Sequence, residues 1–394
     1  MCFYKNEQNK ILKKKYNFLL LGNPQSPYIT QYIENVLEPL GFDIYMQADF
    51  SDEKEEFNVF FAKHNIQKIK YYQNRDRKMF SFPIIGKWIK LFFNMQELNK
   101  KYQFDFVHLQ FVVPFDVLRI FLLKKGKMTK LFASFWGSDL LRVSDRTLLL
   151  EKIFLRNYNY ITADSYSMVE RYNKFFGNTK NKLDIVYYGV SLIPYIDRCL
   201  SEKKQCINDL SIPKDKIVIS IGYNGRPQQQ HDKVINVLNV LENKKDYFLL
   251  IQSSYGNEDV VYKQKLKIIL DNSGFQYKII SKYLTMDELA KLRVITDIFI
   301  NAQTTDAFCN SIKEYMYSKT QIINASWLHY PEIDTLQLKI NEFSNFDQIP
   351  SLLEKQVNEE ELEWNREIIG KNSSWETCRQ RWAKIYGIND SEIE

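Results

Sequence analysis

Residues 296–330 read TDIFINAQTTDAFCNSIKEYMYSKTQIINASWLHY. Asp297 to Ile300 is a short apolar run suited to a buried strand. A polar loop, Asn301 to Asp306, follows it, and a helix is predicted from about Cys309 to Ser318. Gln321 to Ile323 starts the next strand. Strand, loop, helix and strand in this order set the loop and the first helical turn at the carboxyl end of a parallel sheet. Open α/β folds bind ligands there. The free amides of Asn310 and Ser311 at the helix start favour phosphate. Glu314 stands eight residues after Asp306 and about one turn into the helix, where it suits a hydroxylated group such as a ribose. An N-cap with a solvated helix face would use the same two acids.

The alternation extends in both directions. Apolar runs at 16–22, 43–46, 106–109, 131–135, 160–163 and 185–190 read as strands, with helical intervals between them. A second series starts after Pro213, with runs at 217–222, 248–251 and 277–280. Such alternation implies parallel sheets covered by helices on both faces. A helix from Tyr28 to Leu40 is expected to end on Gly41. The charged, non-periodic stretch Ser201 to Gln205 suggests a hinge within 190–213. The domains expected are therefore 1–200 and 213–371, each Rossmann-like, with a cleft between them as the natural ligand site. A tail helix over 372–394 carries an apolar stripe of Trp375, Cys378, Trp382 and Ile385. Ser373 or Ser374 suits its cap.

Composition narrows the class. A chain of 394 residues, 45% hydrophobic and 26% charged, suits a soluble two-domain protein. The five cysteines are scattered with no CxxC, as in a reducing compartment. The four histidines have no metal-ligand spacing, so a structural zinc site is not expected. The first residues lack the apolar core of a secretory leader, and no run of about 18 apolar residues follows, which predicts a cytoplasmic protein. Residues 61–130 carry fifteen Lys/Arg against four Asp/Glu. That bias suits either an anionic partner or a plain lysine-rich surface. No motif for reading nucleic acid is present. Within 79–98, Ile85, Trp88, Ile89, Phe92 and Met95 share one helical stripe, fit for a domain core or for an anionic membrane surface at the inner face of the plasma membrane.

Several short blocks resemble a known family. The Asp306–Glu314 spacing resembles the acidic pair of glycosyltransferase family 4, with Asp in place of the first Glu. Phe135-Trp136-Gly137-Ser138-Asp139 resembles that family's acceptor-side HG-x-D loop, with Trp in place of His. Ala163-Asp164-Ser165 and Val186 to Val190 resemble two further blocks. The turn Gly222-Tyr223-Asn224-Gly225-Arg226, running on to His231, sits where the family has its glycine-rich turn. It is also similar to a turn of bacterial 4-acetamido-4,6-dideoxygalactose transferases, as is Ser254-Tyr255-Gly256-Asn257.

The resemblance implies an α/β protein of the GT-B class: two Rossmann-like, doubly wound parallel-sheet domains facing a cleft, the carboxyl-terminal tail packed back on the first. It implies a glycosyltransferase, hexosyltransferase in type, moving a sugar from a nucleotide-diphosphate sugar to the hydroxyl of a glycan or lipid-linked glycan. A role in bacterial surface polysaccharide or glycoconjugate synthesis would follow. Donor contacts are expected from Gly222, Asn224, Gly225, Arg226, His231, Tyr255, Asn310, Ser311 and Glu314. Trp136, Gly137 and Ser138 are expected on the acceptor side, and Asp139, His108 and Asp306 are the candidates for chemistry. Asp139 is the first choice for base, since it follows Gly137 in a loop after a strand. His108, on a strand, also suits a core position. The family's Arg-x4-Lys pair is replaced by Arg226 and His231. No DxD motif occurs, so neither metal nor cofactor is expected. A non-hydrolysing sugar-nucleotide 2-epimerase and a non-catalytic nucleotide-sugar-binding protein use similar scaffolds and stay open at this point.

Overall fold

The computed structural model describes residues 15–24, 26–47, 55–69, 95–123, 129–177, 182–256 and 259–388. It divides into two compact units. The first comprises residues up to 164, 168–186 and those from 379 onward; the second comprises 165–167 and 187–378.

The first unit holds a seven-stranded sheet, ordered β3-β2-β1-β4-β5-β6-β7. Its strands are β1 (Asn17–Leu21), β2 (Asp43–Gln47), β3 (Gln67–Ile69), β4 (Phe106–Gln110), β5 (Lys130–Phe135), β6 (Tyr160–Ala163) and β7 (Lys182–Ile185). Every pairing is parallel. Leu19, Val107, Leu131, Ala133 and Ile161 are fully buried, as continuous apolar strands in a doubly covered sheet must be.

The second unit holds β8 (Ile217–Ile221), β9 (Tyr247–Gln252), β10 (Gln276–Ile280), β11 (Ile298–Asn301), β12 (Gln321–Ala325) and β13 (Asn341–Phe343), ordered β10-β9-β8-β11-β12-β13 and again parallel throughout. In both sheets the first strand of the series lies beside the fourth, so the winding reverses between β1 and β4 and between β8 and β11. The doubly wound α/β architecture expected from the alternation is the one observed.

Some local readings change. The run at 185–190 is not a strand: the ladder ends at Ile185, and Val186 makes one more bond, its amide to the Ala163 carbonyl at 2.9 Å. Val186, Tyr187, Tyr188 and Val190 are apolar because they are buried in irregular backbone at the crossing from the first unit to the second. The charged stretch near 201–205 is mostly ordered, as helices Ile193–Leu200 and Lys203–Asp209. The helix after β1 is Pro27–Tyr32, continued by a π-helical turn Ile33–Leu37, and Gly41 follows with φ 72°. The tail forms the helix Trp375–Tyr386, and the Ser374 hydroxyl accepts the Thr377 amide at 3.2 Å. Trp382 and Tyr386 are fully buried in the first unit, against Tyr32, Phe18 and Phe132. Residues 79–94 lie outside the described residues; Met95 and Leu98 are buried in the first core. Among the described residues no helix is long and apolar enough to cross a membrane.

Candidate functional site

The candidate donor residues gather at the reversal between β8 and β11. β8 runs into the turn 222–226 and β11 into the loop 301–306, with the helix Asn310–Tyr317 directly behind. The Gly222 amide bonds the Ile300 carbonyl at 3.1 Å, and the Thr304 amide bonds the Gln228 carbonyl at 2.9 Å, so the two loops are laced together.

Gly222 is required twice. Its φ is 63°, and a Cβ there would lie 2.6 Å from Gln229 Oε1 and 2.9 Å from His231 Nε2. Gly222→Ala is expected to cost about 2–3 kcal/mol through strain and collision. A chemical melt checks it; a wild-type midpoint would show that the turn is not held as described. The Asn224 side chain accepts the Arg226 amide at 3.0 Å, which tightens the turn. The Gly225 amide bonds the Tyr255 carbonyl at 2.9 Å. Arg226 is exposed and lies over Gly256, where a Cβ would come within 2.6 Å of its Cγ. His231 is fully buried; burial holds its ring neutral, lowering its pKa to about 4. Its Nδ1 meets the Tyr262 hydroxyl at 3.1 Å, while Nε2 faces Gly222 with no hydrogen-bond partner among the described residues.

Asp306 ends the second loop inside a ring of donors. Its Oδ1 accepts the Tyr223 hydroxyl at 3.1 Å and the Ala307 amide at 2.9 Å. Its Oδ2 accepts the Tyr330 hydroxyl at 3.1 Å and lies 3.4 Å from the Cys309 thiol. Burial raises its pKa to about 6, and the donors oppose that rise. Gln303 joins the ring, donating to the Tyr223 hydroxyl at 2.9 Å and accepting from Gln229 at 2.9 Å. Asp306 is therefore an anchor for the loop and the helix start.

The helix begins at Asn310 with no side-chain cap. The amides of Asn310 and Ser311 have no acceptor within it, leaving two N–H groups and the positive end of the helix dipole free for an anion. Glu314 lies one turn deeper with its side chain 13% exposed. Arg293 grips it, Nε and Nη2 each donating to Oε2 at 3.0 Å, and Arg293 Nη1 donates to Gln252 Oε1 at 3.0 Å. The guanidinium also stacks 4.2 Å above the Tyr315 ring. Burial raises the Glu314 pKa, and Arg293 opposes that rise. With Oε2 committed, Oε1 is the atom available to a ligand. Arg293 and Gln252 escaped the sequence reading because they arrive from other segments, whereas Tyr223 and Tyr330 lie within the stretches already read and no local spacing marks them as partners of Asp306.

The first-unit candidates surround the ends of β4 and β5. Gly137 has φ 117°, which only glycine adopts readily, although a Cβ would meet nothing within 4 Å. Asp139 is 2% exposed and serves this turn: Oδ1 accepts the amides of Trp136 at 2.8 Å and Gly137 at 2.9 Å, and Oδ2 the amide of Val112 at 2.8 Å. Burial raises its pKa to about 6 and the amides oppose it. Geometry makes it the organiser of the loop rather than an open base. Trp136 is held from behind, its Nε1 donating to Gln110 Oε1 at 2.9 Å, with Tyr28 and Phe111 edge-on. Ser138 is exposed beside it.

His108 is a core histidine here. It is fully buried, with Nε2 2.7 Å from the Ser134 hydroxyl and Nδ1 2.6 Å from the Tyr386 hydroxyl, and burial lowers its pKa to about 3. Phe18, Phe132 and Trp382 wall it in. Among the described residues no three His, Cys, Asp or Glu side chains converge as a metal site.

Residues 19–165 match the family described as glycosyl transferase 4-like. The chain is similar in fold to a glycosyltransferase from Rickettsia africae, with a TM-score of 0.72 at 16% identity, covering 94% of this chain and 98% of that one. The fold is GT-B. HepE of Anabaena, solved in complex with UDP, gives a TM-score of 0.69 at 12% identity, covering 95% and 100% of the two chains. The GT-B frame is also seen in the UDP-GlcNAc 2-epimerase of Neisseria meningitidis, at a TM-score of 0.56, 9% identity and coverage of 94% and 99%. At such identities the likeness is one of fold. No curated protein matches the chain.

Proposed function

We propose that this GT-B protein transfers a sugar from a nucleoside-diphosphate sugar to the hydroxyl of a glycan or lipid-linked glycan, without a resident metal, in the building of a bacterial surface glycan. The observation that carries the reading is the uncapped helix start after β11 with an acid one turn deeper, beside a β8 turn that carries an exposed arginine lying over Gly256. The diphosphate sits on the amides of Asn310 and Ser311 with Arg226 beside it. Glu314 Oε1 takes a hydroxyl of the ribose or of the sugar. The transferred sugar's anomeric carbon breaks its bond to the diphosphate oxygen and forms one to the acceptor oxygen, whose proton passes to the departing diphosphate. The electron pair leaves with the nucleoside diphosphate, where helix amides and Arg226 meet the growing charge. Trp136, Gly137 and Ser138 form the acceptor-side loop, and Asp139 positions it.

UDP is the first nucleotide to test, since HepE binds it. A ligand at a hundredfold excess over its Kd stabilises the folded state by about 2.7 kcal/mol, which a thermal melt reads as a clear shift. Arg226→Ala is expected to weaken UDP binding about tenfold, as loss of one charge-assisted contact does. If none of UDP, GDP and dTDP shifts the melt, the pocket is misassigned. The epimerase reading shares the frame and differs in product: it would return an epimerised nucleotide sugar, whereas transfer to an acceptor releases nucleoside diphosphate.

A further inference from the structure

Helix Asp145–Leu155 turns two faces in opposite directions. Leu148, Glu151 and Leu155 point into the core of the first unit. Leu149, Leu150 and Ile153 point out, at 55%, 57% and 50% exposure. Their spacing places them on one side of the helix, with Arg146 one turn before and Arg156 one turn after on the same side. Arg142 is exposed just ahead of the helix, beside the 37% exposed Leu141. The patch continues onto the neighbouring helix Pro114–Leu123, whose Phe121 is 37% exposed and meets Phe154 with ring centroids 5.5 Å apart.

The charge around this face has one sign. Arg142, Arg146 and Arg156 make no ion pair among the described residues, while the one exposed acid of the helix, Asp145, is bonded to Arg171 at 3.1 Å. Glu151 is turned inward. Aliphatic side chains between free arginines are the pattern of a helix lying in a membrane interface. The apolar groups enter the acyl boundary by about 5–10 Å, and the guanidinium groups stay at the level of anionic headgroups. A few aliphatic side chains are too little for the ~800 Å² per partner that a stable protein interface buries. We propose that this face docks the protein on an anionic lipid bilayer. The surface is built from residues other than 79–98 and does not rest on the donor chemistry.

The test is sedimentation of the full chain with vesicles of phosphatidylglycerol and phosphatidylcholine in equal parts, beside vesicles of phosphatidylcholine alone, at about 0.1 M salt. Binding is expected on the anionic vesicles only, and weakened by salt. The triple change Leu149→Ser, Leu150→Ser, Ile153→Ser is expected to lower it about tenfold or more, and Arg142→Gln, Arg146→Gln, Arg156→Gln to lower it similarly. All six side chains are exposed, so both variants should melt like wild type and keep any UDP-induced shift. Absence of wild-type binding, or variants that bind as wild type does, overturns the proposal. So does a wild-type dimer in sedimentation equilibrium that the serine variant dissolves, since the face would then be a self-association surface.

Discussion

Arg293→Met is expected to destabilise the protein by about 3–5 kcal/mol, because it strands a buried carboxylate. Arg293 is 1% exposed and places three N–H groups on two acceptors, Glu314 Oε2 and Gln252 Oε1, all at 3.0 Å. A methionine of similar length fills the space over Tyr315 but leaves Glu314 unpaired. The double change Arg293→Met with Glu314→Gln is expected to recover part of the loss, since the uncompensated charge is gone. Urea melts of the three proteins measure this, and a single variant as stable as wild type would refute the pairing. Glu314→Gln alone separates stability from binding. The amide oxygen can still accept from Arg293, but the charge that strengthens a hydrogen bond to a ligand hydroxyl is lost. Donor affinity is expected to fall by about 1.5–3 kcal/mol, roughly tenfold to a hundredfold. Unchanged affinity would move the hydroxyl contact away from Glu314.

The second large effect is a pH dependence from Glu151. This side chain has no exposure, and among the described residues neither carboxylate oxygen has a hydrogen-bond partner. Burial raises its pKa from 4.5 to about 8, with the nearby Asp139 charge adding to the rise. The folded protein therefore keeps a proton that the unfolded chain releases. The stability this confers is fully present below pH 4.5 and is lost progressively as pH rises through 8. Asp139 and Asp306, each raised to about 6, act in the same direction over a lower window. Glu151→Gln cannot ionise, so its melting temperature relative to wild type should climb between pH 5 and pH 8.5, reaching several degrees. Glu151→Met, which also removes the unpaired polar atoms, is expected to stabilise at both pH values by about 1–3 kcal/mol. A difference between variant and wild type that stays flat with pH would mean that Glu151 is ionised in the fold and paired.

Most of the architecture was legible along the chain. Strands such as 131–135 and 298–301 are buried on both faces, so they read as unbroken apolar runs with turn signals at each end. The segment 186–190 has the same composition and forms no ladder, because burial alone asks for apolar residues. Within the site, the glycine turn, the helix start and Glu314 were readable, since turns and caps are local. Asp139 and Asp306 were readable as residues but not in their partners: one is occupied by three amides, the other by two tyrosine hydroxyls, a thiol and an amide. His108 illustrates the reverse case, where a reactive side chain is spent on packing.

By itself the sequence determined two parallel α/β sheets and a helix start behind the loop after β11, because both follow from periodicity and from backbone groups that need no distant neighbour. Tertiary structure alone decided which polar side chains remain available. Arg293 reaches Glu314 across 21 residues of chain, Tyr386 reaches His108 across 278, and Glu151 is left facing a core without a partner. Burial and pairing are properties of the packed interior, where a charge is costly until some remote segment brings its counterpart.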